Sequence, residues 1–145
     1  MLGIWLKAEI SNHEGCPWLN EPISDEVLKQ NKFTNGEEIK RGIRLAKMYP
    51  KIVIAVNVGN EALVEWNDHM LEVESVISYV KNVQEAIDQP VTVAENYDWW
   101  AKNGSELAQV VDFISVHVYP AWEGKDIDEG LSYSIENIKK VVKAI

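Results

Sequence analysis

Three stretches of the chain carry side chains that can do chemistry. Val58-Gly59-Asn60-Glu61 ends a nearly continuous apolar run, Lys51 to Val58. A carboxyl group placed where a buried strand runs out is the kind of position at which a general acid is built, because burial keeps a carboxylic acid protonated. The competing role is that Glu61 caps the following turn or faces solvent, and Asn-Glu alone does not choose between the two. Ser115-Val116-His117-Val118-Tyr119-Pro120 ends a later apolar run. A single His in a strand is more often a satisfied core residue than a catalyst. Here His117 and Tyr119 share one parity and fall at the same strand-end rim as Glu61, which favours a binding role. Asn96-Tyr97-Asp98-Trp99-Trp100 and Tyr119-Pro120-Ala121-Trp122 add rings to that rim. Aromatic faces stack on sugar rings while carboxylates and amides bond the hydroxyls, although at least one of Trp99 and Trp100 is expected to be core packing. His13, Glu14, Asp68 and His69 match no metal-ligand spacing and read as surface loop, so no metal or other cofactor is expected.

The elements that must position these residues alternate. Leu2 to Ala8 reads as a strand, followed by a long polar loop through Asn31 that carries Cys16-Pro17-Trp18. Thr34-Asn35-Gly36-Glu37 has the spacing of a capping box and predicts a helix to about Tyr49, with Ile39, Ile43 and Ala46 on one face and Pro50 helping to end it. Lys51 to Val58 is short and β-branched, which predicts a buried parallel strand. Val73, Val76, Ile77, Val80, Val83 and Ile87 recur at helical spacing. Val91 to Ala94 predicts a strand, Ala101 to Val110 a short helix, and Phe113 to Tyr119 a strand. A last helix is expected near Leu131 to Ile145, burying Leu131, Ile135, Ile138, Val141 and Ile145. Strict alternation of strand and helix implies a parallel sheet.

Parity within the strands refines the fold class. One face reads Leu2, Ile4, Leu6, then Ile52, Ile54, Val56, Val58, then Val91, Val93, then Ile114, Val116, Val118. The other reads Gly3, Trp5, Lys7, then Val53, Ala55, Asn57, Gly59, then Thr92, Ala94, then Ser115, His117, Tyr119. A doubly wound sheet has helices on both faces and should be aliphatic on both. One aliphatic and one mixed face suit the wall of a (β/α)8 barrel, whose active site lies at the carboxyl ends of the strands. Such a barrel takes roughly 250 residues and eight strands. The 145 residues supply four strand–helix units, so the expectation is an α/β chain, residues 1–145, that forms about half of a (β/α)8 barrel. The other reading is a small open α/β sheet. Half a barrel leaves strand edges uncovered, which predicts either the remainder of a barrel or a self-dimer as partner.

Composition excludes several classes. The chain has 23 acidic residues against 14 Lys and Arg, for a formal charge of −9. That balance argues against a nucleic-acid backbone as partner. The single Cys16 excludes an internal disulfide and a Cys-based zinc site. No apolar run reaches the ~20 residues of a membrane span. No strand is followed by a glycine-rich phosphate loop.

Three strand-end motifs together carry a resemblance. Val56-Asn57-Val58-Gly59-Asn60-Glu61, Pro90-Val91-Thr92-Val93-Ala94-Glu95 leading to Trp99-Trp100, and Val111-Asp112-Phe113-Ile114-Ser115-Val116-His117-Val118-Tyr119-Pro120 resemble, in order and in spacing, bacterial members of glycoside hydrolase family 17. That family comprises β-1,3-glucanases and β-1,3-glucanosyltransferases on a (β/α)8 barrel. The resemblance implies that the chain corresponds to the third to sixth strand–helix units, with Glu61 as the general acid/base. It implies a β-glucan oligo- or polysaccharide as partner, with Asn60, Glu95, Asp98, His117, Tyr119 and Trp122 as substrate-binding candidates. It also implies action outside the cytoplasm, as is usual in the family.

The implied mechanism is a retaining double displacement, which sets two carboxyl groups ~5 Å apart, against ~6.5–9.5 Å in an inverting enzyme. In the family the nucleophile is a Glu after the seventh strand, in a Glu-Thr-Gly-Trp-like or Glu-Ala-Gly-Trp-like segment. No such segment occurs in these 145 residues, so the chain alone is expected to be inactive. Glu95 shares the parity of the outward Val91 and Val93, which argues against it as a substitute nucleophile. A non-catalytic α/β domain that binds carbohydrate or protein remains the alternative.

Overall fold

The computed structural model describes residues 1–11, 16–17 and 19–145. His13, Glu14 and Trp18 therefore lie outside the described residues. Four strands, β1 (Leu2–Ile4), β2 (Val56–Asn60), β3 (Val91–Asn96) and β4 (Ser115–His117), form one parallel sheet in sequence order. The helices are α1 (Asp25–Met48), α2 (Val73–Ala86), α3 (Tyr97–Asn103), α4 (Ser105–Ala108) and α5 (Gly130–Ala144). This is the α/β alternation read from the pattern, with every strand followed by helix.

The aliphatic face of the sheet makes the core. Ile4, Leu6, Val56, Val58, Val91 and Val93 are all buried, packed with α1 and α2. In α2 the stripe Val76, Ile77, Val80, Val83 is buried as its spacing requires. In α1 the buried face is Asn35, Ile39, Gly42 and Ala46. Gly42 permits the approach of α1 to β1, because a Cβ there would collide with Cδ1 of Ile4.

Local pattern and structure part where tertiary partners intervene. The first strand is three residues long, not seven. Beyond it, α1 replaces a neighbouring strand: Lys7 N–H donates to Asn35 Oδ1 (2.8 Å), and Asn35 Nδ2 donates to Lys7 O (2.9 Å). Helix α1 opens nine residues before the apparent capping box, with Ser24 as N-cap accepting from Val27 N–H and with Asp25 and Glu26 in its first turn. Thr34 lies inside the helix and donates back to Gln30 O. Strand β2 starts only at Val56. Before it, Ile52 N–H and Val53 N–H both close on Tyr49 O, a turn that leaves Ile52 and Ile54 75% and 71% exposed instead of in the core. The expected helix from Ala101 to Val110 is two short pieces separated at Gly104, and the first begins earlier, capped by Asn96. The expected strand from Phe113 to Tyr119 shortens to Ser115–His117. Helix α5 has the expected span and buries Val141 as expected, but its second buried residue is Asn137, near α3, while Leu131, Ile135, Ile138 and Ile145 are exposed. No helix among the described residues is long and apolar enough to cross a membrane.

Candidate active site

The carboxyl end of the sheet is shaped by a bulge. Register runs from Asn57 opposite Thr92 to Asn60 opposite Ala94, so β2 spends three steps where β3 spends two. The extra residue is absorbed by Gly59 at φ 87°, a left-handed conformation that L side chains rarely adopt. Two residues on, Glu61 itself holds φ 48°, the only non-glycine residue with positive φ among the described residues. An L residue in that region is strained and persists only where its surroundings over-determine it. They do so here. Glu61 N–H donates to Ala94 O (2.8 Å), Asn67 Nδ2 donates to Glu61 O (2.7 Å), and Leu71 N–H donates to Ala62 O (2.8 Å). His69 braces the same turn, its Nε2 2.9 Å from Asn60 O and its Nδ1 3.0 Å from Asp68 Oδ1. With both ring nitrogens so engaged and the Trp5 ring tilted against it at 4.5 Å, His69 is a strut.

The turn aims Glu61 across β3. Its Oε1 stands 3.0 Å from Nδ1 of His117, which ends β4, two strands away. Their side chains are 13% and 21% exposed, so the pair is partly shielded yet open on one side. Either His117 donates to the Glu61 carboxylate, or protonated Glu61 donates to the ring; both place a movable proton at one contact. Tyr119 continues the line, its ring 5.4 Å from that of His117. Burial and then the Glu61 charge raise the Tyr119 hydroxyl above its ordinary range, which keeps it a donor at neutral pH.

A cleft of about 430 Å³ opens at Glu61. The loop after β2 contributes Glu61 and Trp66, the β3–α3 junction contributes Asn96, Tyr97 and Asp98, and the loop after β4 contributes Tyr119, Trp122 and Glu123. Of the residues singled out from the sequence, Glu61, Asp98, Tyr119 and Trp122 line it, and His117 bonds Glu61. Asp98 also pairs with Lys102 at 2.7 Å, an exposed bridge of small energetic weight. Asn60 contributes its backbone carbonyl to the brace under the turn.

Glu95 is placed differently. It is fully buried beneath the cleft, where its Oε1 accepts from Leu63 N–H (3.0 Å) and its Oε2 has no partner among the described residues. Burial pushes its carboxyl up to about 8, the Leu63 N–H opposes that, and the nearby Glu61 charge adds to it. Glu95 thus sits as a neutral acid under the turn that carries Glu61. Trp99 and Trp100 are both core, with Trp100 Nε1 donating to Ser115 O (2.9 Å).

Three residues of the site went unremarked in the sequence: Trp66, Glu123 and the partner of Glu123, Tyr133. Trp66 had a signal, since it lies in the loop after the same strand as Glu61. Glu123 follows Trp122 directly. Tyr133 had none, because its hydroxyl reaches Glu123 from α5. Among the described residues no three His, Cys, Asp or Glu side chains converge as metal ligands.

No protein-family model and no curated protein matches the chain. Among solved structures the chain is similar to the crystal structure of an endo-laminarinase from Formosa Hel1_33_131, with a TM-score of 0.76 and 21% identity over 99% of this chain and 44% of that one. At that identity the likeness is one of fold. The chain spans less than half the length of the solved structure that it matches. What is shared is a four-stranded parallel α/β sheet.

Proposed function

We propose that the chain is the acid/base-bearing portion of a retaining glycoside hydrolase of the family 17 type, acting on β-1,3-glucan. The observation that carries this reading is Glu61, held in a strained turn at a strand's carboxyl end and hydrogen-bonded to His117 in an aromatic-lined cleft. The strand-end motifs and the likeness in fold to a laminarinase support it.

In this reading Glu61 protonates the leaving glycosidic oxygen and then, as a carboxylate, takes a proton from the incoming water or sugar hydroxyl. His117 orients the carboxyl group and exchanges a proton with it through the 3.0 Å contact. The Tyr119 hydroxyl, kept protonated, donates to the substrate. Glu95 is buried and holds Leu63, so the nucleophile is assigned to a carboxylate outside these 145 residues, ~5 Å from Glu61. Further barrel strands would cover the edge at β4 and the exposed apolar side of α5.

The test uses the protein expressed from its whole reading frame. Glu61→Ala is assayed on an aryl β-glucoside of laminaribiose with an activated leaving group, with and without azide. An acid/base residue leaves the first step intact with such a substrate, and azide then yields a glycosyl azide of retained β configuration. An α-azide would make Glu61 the nucleophile, and unchanged activity on laminarin would remove it from the chemistry.

A further inference from the structure

The turn that carries Glu61 is clasped at three successive carbonyls. Asn67 Nδ2 donates to Glu61 O (2.7 Å), Leu71 N–H donates to Ala62 O (2.8 Å), and His69 Nε2 stands 2.9 Å from Asn60 O. All three partners come from the segment 67–71. Asn67 and Leu71 act through amides, which keep their hydrogens at any ordinary pH. His69 is the titratable member of the clasp.

The other ring nitrogen of His69 meets a second acceptor, Nδ1 lying 3.0 Å from Asp68 Oδ1. A carbonyl and a carboxylate both accept and neither donates, whereas a neutral imidazole carries one N–H. Both contacts are therefore hydrogen bonds only when the ring is doubly protonated. The groups around the ring suit that cation. Asp68 is its ion partner among the described residues, and the Trp5 ring, centred 4.5 Å away, offers it an aromatic surface. Two further charged residues follow Trp5. Lys7 is exposed to solvent, and the Glu9 carboxylate is taken by Asn35 Nδ2 (2.8 Å) and the Tyr79 hydroxyl (2.6 Å). Glu61, next to Asn60, turns its carboxyl to His117. The His69 side chain is 12% exposed, so water does not readily replace a donor that is lost.

We propose that His69 is a positioning residue whose second ring proton keeps the Glu61 turn closed: as an imidazolium it donates to Asp68 and Asn60 at once, and on losing one proton to solvent it keeps the bond to Asp68 and releases the Asn60 carbonyl. The carboxylate retains the remaining N–H because a charge-assisted bond is the stronger of the two. The Nε2 lone pair then faces the Asn60 oxygen, and the residue at φ 48° loses one of the contacts that over-determine it. Glu61 is then held less firmly against His117, so one proton on a group outside the reaction governs the aim of the acid. The consequence for catalysis rests on Glu61 being the acid/base, as read above.

The experiment uses the protein expressed from its whole reading frame. Nitrogen-15 NMR follows the His69 ring, assigned by its loss in His69→Gln, and the Glu61 backbone amide from about pH 5 to about pH 9, across the ordinary histidine range. The Glu61 amide signal is expected to move with the same midpoint as the ring, and the neutral ring to carry its proton on Nδ1. Asp68→Asn lets a neutral ring keep its Nε2 proton toward Asn60, so the movement of the Glu61 amide is expected to shrink. His69→Ala is expected to lower kcat on laminarin about 10- to 100-fold with KM within about twofold, and His69→Gln, whose amide donor reaches the place of Nε2, to restore most of it. The ratio of wild-type kcat to that of His69→Gln cancels the ionisation of Glu61 itself. It is expected to fall about threefold or more over the same pH range. A Glu61 amide indifferent to the ring, a neutral ring protonated on Nε2, or a constant kcat ratio would overturn the proposal and leave the acid/base reading standing. The azide product decides that reading separately, and its failure would leave the NMR result on the clasp intact.

Discussion

Glu61 follows β2 and Glu95 belongs to the end of β3, so the two glutamates stand at neighbouring strand ends, yet their surroundings differ in every respect. Glu61 sits in a left-handed turn, partly exposed, bonded to a titratable ring and facing a cleft. Glu95 continues a regular strand, has no exposure, and spends one oxygen on a backbone N–H of the turn above it. One residue type becomes a cleft-facing group or a buried support according to which way the backbone turns it. The bulge at Gly59 rotates Glu61 over the sheet's end, while Glu95, without a bulge, keeps the parity of Val91 and Val93 and is buried with them on the helix-covered face.

Activity is where the two glutamates should differ most. In the protein expressed from its whole reading frame, Glu61→Gln is expected to lower kcat on laminarin about 100- to 10,000-fold. Glu95→Gln replaces a neutral acid by a neutral amide of the same shape and keeps an acceptor for Leu63 N–H, so its kcat near pH 6 is expected to stay within about threefold. Equal losses in the two variants would erase the distinction.

Stability against pH sharpens it next. Glu95 is raised to about 8 in the folded chain, above the ordinary 4.5, so the folded state binds that proton more tightly than the unfolded state does. Its contribution is complete below the ordinary value and is lost as pH rises through about 8. Stability of the wild type, from urea unfolding, should therefore fall between about pH 5 and pH 8 by an amount on the order of a few kcal/mol, and that of Glu95→Gln should be flatter over the same range. A wild-type curve no steeper than the variant's would mean that Glu95 is ionised in the fold.

The smallest effect concerns strain. Glu61→Asn places a residue that tolerates the left-handed region at φ 48°. It is expected to raise stability by about 0.5 kcal/mol while abolishing activity. Loss of stability in the Glu61→Asn variant would show that the contact with His117 outweighs the backbone cost.

Much of the framework was legible in the sequence because it rests on local repetition. The stripe of α2 and the apolar alternation of β3 are set by residues three, four or two positions apart, and both elements formed accordingly. The strand-end position of Glu61 and the shared rim of His117 and Tyr119 were legible for the same reason. Boundaries were less so. Thr34 looked like a helix start, but Asn31 and Asn35 gain partners at Ala8 and Lys7 only if the helix already runs through them. Ile52 and Ile54 looked like core because their types match a strand, although the turn closed on Tyr49 O holds them outside. Of the stripe on α5, Val141 is buried while Leu131, Ile135, Ile138 and Ile145 are exposed, since periodicity says which residues share a face and not what lies against that face.

What the sequence determined by itself is the alternation of strands and helices, the aliphatic face of the sheet, and the presence of an acid, an imidazole and several rings at one end of it. Those follow from backbone geometry with short, fixed periods. The tertiary structure alone decided that Glu61 would reach His117 across an intervening strand, that Glu95 would be sealed beneath it, and that Tyr97 and Tyr133 would meet on Glu123. The physical reason is that hydrogen-bond partners and burial depend on groups 10 to 56 residues away in the chain, brought together only when the sheet and its helices pack.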